Sequence, residues 1–374
     1  MTLLNPNANS DTLSRDASVI ELMRPITELI AANPGVTEVT MYKPGEFFLS
    51  IHGKWERHHL PSMNYKQCLA VAESVGYRSD QVIGSRTPLL SATLPNGERM
   101  QIVVPPAVEP GTISFSIRIP SSDIRPLEQY EADGAFERFV WVESQALQKK
   151  PEGLDLTDKR LCALLSDRKL KEFLIAAVLA KKNIAVVGDT GSGKTTLMKS
   201  MCEHIPSTER LITIEDVREL FLPKHDNKVH LIYSKGGLGV ANVTPADLIA
   251  STMRMKPDRV LLAELRGGEA FDFLKLLTTG HSGSITSYHA ESCALSYERY
   301  VFMAKEHPDA AIFTDVSLKR LVSLTIDVVI HVTCKKAYDD KGEVKGVERF
   351  VTEVDFDPAR KLALQVGEGT LHHA

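Results

Sequence analysis

Residues Gly188-Asp189-Thr190-Gly191-Ser192-Gly193-Lys194-Thr195 fit the pattern G-x-x-x-x-G-K-[ST], and the chemistry of that pattern is phosphate binding. Its glycines let the backbone curl until successive N–H groups face an anion, and a helix opening there adds its positive end. Lys194 supplies a cation to the β- and γ-phosphates, Thr195 offers its hydroxyl to Mg²⁺, and Thr196 completes the nucleotide-binding set. A random match in a chain of this length is roughly a one-in-a-hundred event. The segment also lies between an apolar strand and a helix, as the mechanism requires. The reading is a nucleoside triphosphate site, with ATP and Mg²⁺ as its ligands.

Phosphoryl transfer to water needs a metal, a group that orients or deprotonates the water, and counter-charge for the transition state. Two acidic sites fall where strands should end beside the loop. One is Glu215-Asp216, closing LITIED, with Glu219 following; the other is Glu264, closing RVLLAE. A carboxylate at the C-terminal end of a parallel strand faces the ligand crevice. Either acid could instead cap the helix after it. Spacing does not decide which one activates water and which serves the metal.

These residues need a scaffold, and the surrounding pattern describes one. From Lys182 onward, short apolar runs (NIAVVG, LITIED, VHLIYS, RVLLAEL, SGSITSYH) alternate with helical segments, among them TPADLIASTMRM with Thr244 as N-cap and Pro245 at the first helical position. Such alternation predicts a mainly parallel sheet flanked by helices. IDVVIHVTCKKA and VKGVERFVTEVDF read as an antiparallel pair turning around Asp339–Gly342. Upstream, a helix from Ser18 stopped by Pro34-Gly35 leads into three hairpin-spaced strands. A helix ending before Gly76, a second hairpin on Asn96-Gly97 and the run TISFSIRIP follow. The expected organisation is α/β: a polar leader over 1–17, a smaller α+β domain over 18–120, a linker over 121–170 with one or two helices, and a nucleotide-binding α/β domain over 171–374.

Composition narrows the rest. At 374 residues, 43% hydrophobic and 25% charged, the chain is an ordinary globular protein of two or three domains. Acidic residues number 48 and basic residues 44, with no basic block, which argues against a dedicated nucleic-acid surface. The five cysteines are scattered without a C-x-x-C pair, fitting a reducing compartment. The longest uninterrupted apolar run, Phe173 to Ala180, is far short of the ~20 residues a membrane span needs. Any membrane contact is therefore expected to be peripheral.

Taken together, GDTGSGKTT, LITIEDVREL, MRMKPDRVLLAELRGGEA and TTGHSGSITSYHA occur in an order that resembles the hexameric traffic ATPases of type II and type IV secretion and of type IV pili. ELRGGEA and the inserted LFLPKHDNKVHLIYS resemble the type IV secretion (VirB-type, conjugation) branch more narrowly. The resemblance implies a RecA-like motor domain behind an N-terminal domain, six subunits in a ring, and ATP bound between the two domains. It casts Glu215 as the water-activating residue and Glu264 as the Walker B glutamate. His281 and His289 become the histidines that sense the γ-phosphate, and Arg99 and Arg118 the arginines reaching toward the nucleotide. Ala263 stands where family members usually have Gly. The implied setting is the cytoplasmic face of the bacterial inner membrane, with channel and coupling proteins as partners. A Tad-type or other pilus motor is the near alternative, because R-G-G-E-A is shared. A nucleotide-gated scaffold and a small-molecule kinase are the alternatives of another class; the two acids argue against the first and the two-domain layout against the second.

Overall fold

The computed structural model describes residues 8–51, 53–119, 124–144, 147, 153–233, 243–338 and 344–366. The chain separates into two compact units, one of residues 1–122 with 234–243 and 336–347, the other of residues 123–233, 244–335 and 348–374.

In the first unit, helix α1 (Ala8–Ala31) precedes strands β1 (Val36–Lys43), β2 (Glu46–Ile51) and β3 (Lys54–His59). Helix α2 (Tyr65–Arg78) and strands β4 (Leu89–Thr93), β5 (Arg99–Val103) and β6 (Ser114–Arg118) follow. The strands pair antiparallel in the order β3-β2-β1-β6-β5-β4. Alternation puts Phe47, Leu49, Met100, Ile102, Phe115 and Ile117 on one buried face, where Val19, Met23 and Ile26 of α1 and Val71 and Val75 of α2 join one core. Two boundaries differ from expectation. α1 begins at Ala8 rather than Ser18, and Arg15 and Asp16 tie it by charge to the end of α2: Arg15 bonds Asp80 at 2.8 Å and Asp16 accepts from Arg78 at 2.5 Å. α2 runs through Gly76 to Arg78, since this glycine packs inside the helix, where a Cβ would fall 2.8 Å from the Gln81 carbonyl oxygen.

The second unit starts with α3 (Leu127–Ala132), β7 (Val140–Val142), α4 (Leu156–Ser166) and α5 (Leu170–Leu179). The alternating core is β8 (Ile184–Val187), α6 (Lys194–Cys202), β9 (Leu211–Glu215), β10 (Lys228–Ile232), α7 (Pro245–Thr252), β11 (Arg259–Leu262), α8 (Glu269–Thr278), β12 (Ile285–Tyr288), α9 (Cys293–Lys305) and α10 (Asp315–Thr325). Strands β13 (Val328–Tyr338) and β14 (Val344–Phe356) and helix α11 (Pro358–Val366) complete it. The sheet order is β10-β9-β11-β12-β8-β13-β14-β7, and β10 through β13 pair in parallel. β8, β9, β11 and β12 are buried at every position, as a sheet covered on both faces requires. Ile184 and Val186 pack into one core, Ala185 and Val187 into the other. The capping box at Thr244 forms, with Asp247 accepting from the Thr244 N–H at 2.9 Å. The segment expected to be a helical linker also contributes β7, which pairs parallel with β14, while Trp141 Nε1 donates to the Phe356 carbonyl at 3.1 Å. The turn expected around Asp339–Gly342 lies outside the described residues apart from its flanks.

Candidate active site

Parallel pairing brings the strand ends that carry chemistry to one edge of the second unit. Val187 lies opposite Tyr288, so Gly188 and His289 leave the sheet side by side; Leu262 lies opposite both Ile214 and Thr286, so Glu215 and Glu264 emerge along the same edge. Edge and crevice coincide in parallel α/β sheets because the loops open there.

The phosphate-binding loop has the shape its sequence predicts. Gly188, Gly191 and Gly193 have φ of 148°, 75° and 96°, and a Cβ on Gly188 would come 2.0 Å from the Val332 carbonyl oxygen. No side chain fits there. Ser192 is buried, and its Oγ has no partner among the described residues. Lys194 is 7% exposed and folds back on the loop, donating to the carbonyls of Gly188 and Asp189 at 2.8 Å each. The buried Ser192 hydroxyl and the Lys194 ammonium thus both line the loop. Thr195 and Thr196 follow on the first turn of α6.

His289 joins this loop to Glu264. Its Nδ1 lies 3.2 Å from Lys194 Nζ and 3.1 Å from the Gly188 carbonyl oxygen; its Nε2 lies 3.0 Å from Glu264 Oε1. With Nε2 donating to the carboxylate, Nδ1 is left to accept from the ammonium, giving a continuous chain Lys194–His289–Glu264.

Glu215 is held differently. It is 1% exposed; Oε1 accepts from the Thr213 hydroxyl at 2.7 Å, and Oε2 accepts from the N–H groups of Glu219 at 2.7 Å and Leu220 at 2.8 Å. His230 Nδ1 stands 3.5 Å from Oε1. These bonds make Glu215 an anchor for the loop after β9. Asp216, next along the chain, accepts from Arg266 Nη1 at 2.8 Å.

The two histidines separate. His281 precedes β12 and His289 follows it, so the whole strand lies between them, about 3.3 Å per residue. His281 is therefore at the opposite edge of the sheet, where Thr279 Oγ1 lies 3.1 Å from its Nδ1. The second unit does not bring it to the loop. Arg99 and Arg118 belong to the first unit, where β5 and β6 place them directly opposite each other. They share one face of that sheet, and Arg118 is exposed.

Two residues not anticipated from the sequence adjoin the loop. Arg349 of β14 donates from Nε to the Gly191 carbonyl at 2.9 Å, and its Cδ is 3.3 Å from where a Gly193 Cβ would stand. His331 of β13 lies opposite Val187; burial pushes its imidazole pKa down, and its Nδ1 contacts Thr352 Oγ1. Both reach the loop through strand order, which leaves no local signal in the sequence.

Residues 147–355 match the family model described as type II/IV secretion system protein. Over 361 residues the chain is 42% identical to the type IV secretion system protein VirB11 of Brucella suis, covering 95% of this chain and 94% of that one. The chain belongs to the VirB11 family of type IV secretion proteins. The crystal structure of the Brucella suis VirB11 ATPase, in complex with sulphate, is 41% identical, covers 96% of this chain and 99% of that one, and superposes with a TM-score of 0.51. The pilus retraction motor PilT with bound ADP is similar in fold, with a TM-score of 0.55 at 17% identity over 93% of this chain and 86% of that one. The RecA-like second unit is thus the arrangement this family uses around its phosphate-binding loop.

Proposed function

We propose that this chain is an ATP-hydrolysing motor of a type IV secretion apparatus, working as a homo-hexameric ring at the inner face of the bacterial inner membrane beside channel and coupling proteins. The observation that carries the hydrolytic reading is the Lys194–His289–Glu264 chain laid across a cradle that only glycine can build. Membership of the VirB11 family supports the setting. No helix among the described residues is long and apolar enough to cross a membrane, and a peripheral attachment needs none.

The chemistry follows from the geometry. The loop N–H groups and the positive end of α6 bind the triphosphate, and Lys194 leaves its carbonyl partners to meet the β- and γ-phosphates. Glu264 Oε1 takes a proton from the attacking water as its oxygen bonds to the γ-phosphorus. The bond to the β-phosphate oxygen breaks, and ADP and phosphate leave, the proton passing to phosphate. His289 keeps Oε1 aimed at the loop. The donor set also fits Mg²⁺, a hard cation that takes oxygen ligands: the Thr195 hydroxyl and the Glu264 carboxylate would hold it. Bound there, it would supply charge neutralisation for the phosphates.

Phosphate release from ATP by the purified full chain tests this reading. Lys194→Ala is expected to abolish turnover while circular dichroism and the melting temperature stay near wild type. Wild-type turnover in that variant would sink the assignment of the loop.

A further inference from the structure

Arg266 comes two residues after Glu264 and points its guanidinium back along the strand end. Nε donates to Glu264 Oε2 at 2.7 Å, Nη2 contacts the same oxygen, and Nη1 donates to Asp216 Oδ2 at 2.8 Å. Glu264 Oε1 takes no part and faces His289. A carboxylate can swing about its side-chain bonds, and a bond to only one oxygen leaves that swing open. Here a rigid planar fork fixes Oε2 from one side and an imidazole meets Oε1 from the other.

The backbone beneath Arg266 is fixed as well. Glu269 Oε1 accepts from the N–H groups of Arg266 at 2.7 Å and Gly267 at 3.0 Å. A Cβ on Gly267 would meet Glu306 Oε2 at 2.7 Å, and one on Gly268 would meet the His307 nitrogen at 3.2 Å. The run Arg266-Gly267-Gly268-Glu269 is thus a turn pressed against the end of α9 and bolted by its own glutamate. It delivers one arginine to one place.

The electrostatics give that arginine something to do. Glu264 and Asp216 end different strands, their side chains are 21% and 11% exposed, and both carry negative charge. Without the guanidinium between them they repel, and Glu264 is freed to turn toward Lys194, which contacts the other nitrogen of the same His289 ring. An ion pair there would remove both the base and the phosphate-binding cation at once.

We propose that Arg266 is a positioning residue for hydrolysis: it pins Glu264 by Oε2 so that Oε1 faces the phosphate-binding loop, and ties that carboxylate through Asp216 to the loop after β9. The inference rests on Glu264 being the carboxylate that activates water. A surface ion pair of ordinary worth would instead leave turnover alone.

The test uses the full chain with Arg266→Gln, Arg266→Lys, Glu264→Gln and the double variant Glu264→Gln/Arg266→Gln, each measured for kcat, KM, affinity for a non-hydrolysable ATP analogue and melting temperature. Arg266→Gln is expected to lower kcat by about 10–100-fold, the scale of a misplaced reacting group, with KM and analogue affinity changed by less than about threefold. Arg266→Lys, which keeps the charge but loses the fork, should fall between. On the Glu264→Gln background the arginine substitution should cost nothing further, because the group it positions is gone. Wild-type kcat in Arg266→Gln overturns the proposal, as does an equal loss of kcat on both backgrounds. Should Arg266→Gln fail to fold, the Lys variant decides alone: wild-type kcat there, with the double-variant cycle additive for Lys, is the overturning result. Wild-type turnover in Glu264→Gln overturns the reading of Glu264 itself, a different failure from an inactive Glu264→Gln beside a fully active Arg266→Gln.

Discussion

Glu215 and Glu264 each end an apolar strand of the same sheet, and side-chain type alone gives them the same prospects. Their partners divide them. Glu215 accepts from two backbone N–H groups and a hydroxyl, whereas Glu264 keeps Oε1 toward His289 and the loop. Replacing Glu215 by Gln removes the charge from hydrogen bonds that the buried carboxylate now accepts, bonds worth about 1.5–3 kcal/mol each when one partner is ionised. Glu215→Gln is therefore expected to lower the melting temperature and slow turnover together. Glu264→Gln removes a base from a half-exposed position, so turnover should fall by about 10²–10⁴-fold with the melting temperature nearly unchanged. Paired melting curves and phosphate-release rates separate the two. A Glu215→Gln protein of wild-type stability but no activity would restore the catalytic role to that residue.

Elements explain why some of this could be read from the sequence and some could not. The loop was legible because its eight residues are contiguous and its glycines answer a local demand, a positive φ and no room for a Cβ. Strand identity was legible because continuous apolar runs mark a sheet covered on both faces. Arg349 was not, since it reaches Gly191 from 158 residues away and depends on β14 lying two strands from β8. The anchor role of Glu215 was hidden because strand-ending acids look alike until their donors are known. At the opposite edge of the sheet a further long-range tie shows the same limit. Arg259, 0% exposed at the head of β11, donates from Nε to Glu209 Oε2 at 2.6 Å and from Nη1 to the Val178 carbonyl at 2.7 Å. Burial alone would raise the Glu209 pKa; the Arg259 guanidinium outweighs it and the pKa is lowered. A depressed carboxylate contributes stability above its unfolded pKa and loses it as pH falls through the folded value. Glu209→Gln strands a buried arginine, so it should cost about 3–5 kcal/mol at pH 7. The gap to wild type should narrow as pH falls below the ordinary carboxylate range toward the lowered pKa of Glu209. Thermal melts at pH 7 and pH 3.5 check this, and a gap that does not change with pH would remove the ion pair from the explanation.

At the scale of the whole molecule, hydrolysis does work only if the energy of binding and releasing the γ-phosphate moves something. Lys194 donates to the carbonyls of Gly188 and Asp189 and lies 3.2 Å from His289 Nδ1. We expect a γ-phosphate to compete with His289 for that ammonium, a contact ADP does not offer. Arg99 and Arg118 stand across from each other on one face of the first unit. From membership of the VirB11 family we expect a ring of six chains, tighter and more uniform with an ATP analogue than with ADP. Arg118→Ala should reduce turnover and shrink the difference between the two nucleotide states. Analogue binding to the full chain should persist, because the loop that holds the phosphates lies in the other unit. Sedimentation velocity and small-angle scattering at micromolar protein, with analogue, ADP and no nucleotide, measure this directly. A strict monomer in all three states would count against a ring motor and favour a small kinase; a ring whose nucleotide difference survives Arg118→Ala would keep the motor and remove that arginine from its coupling.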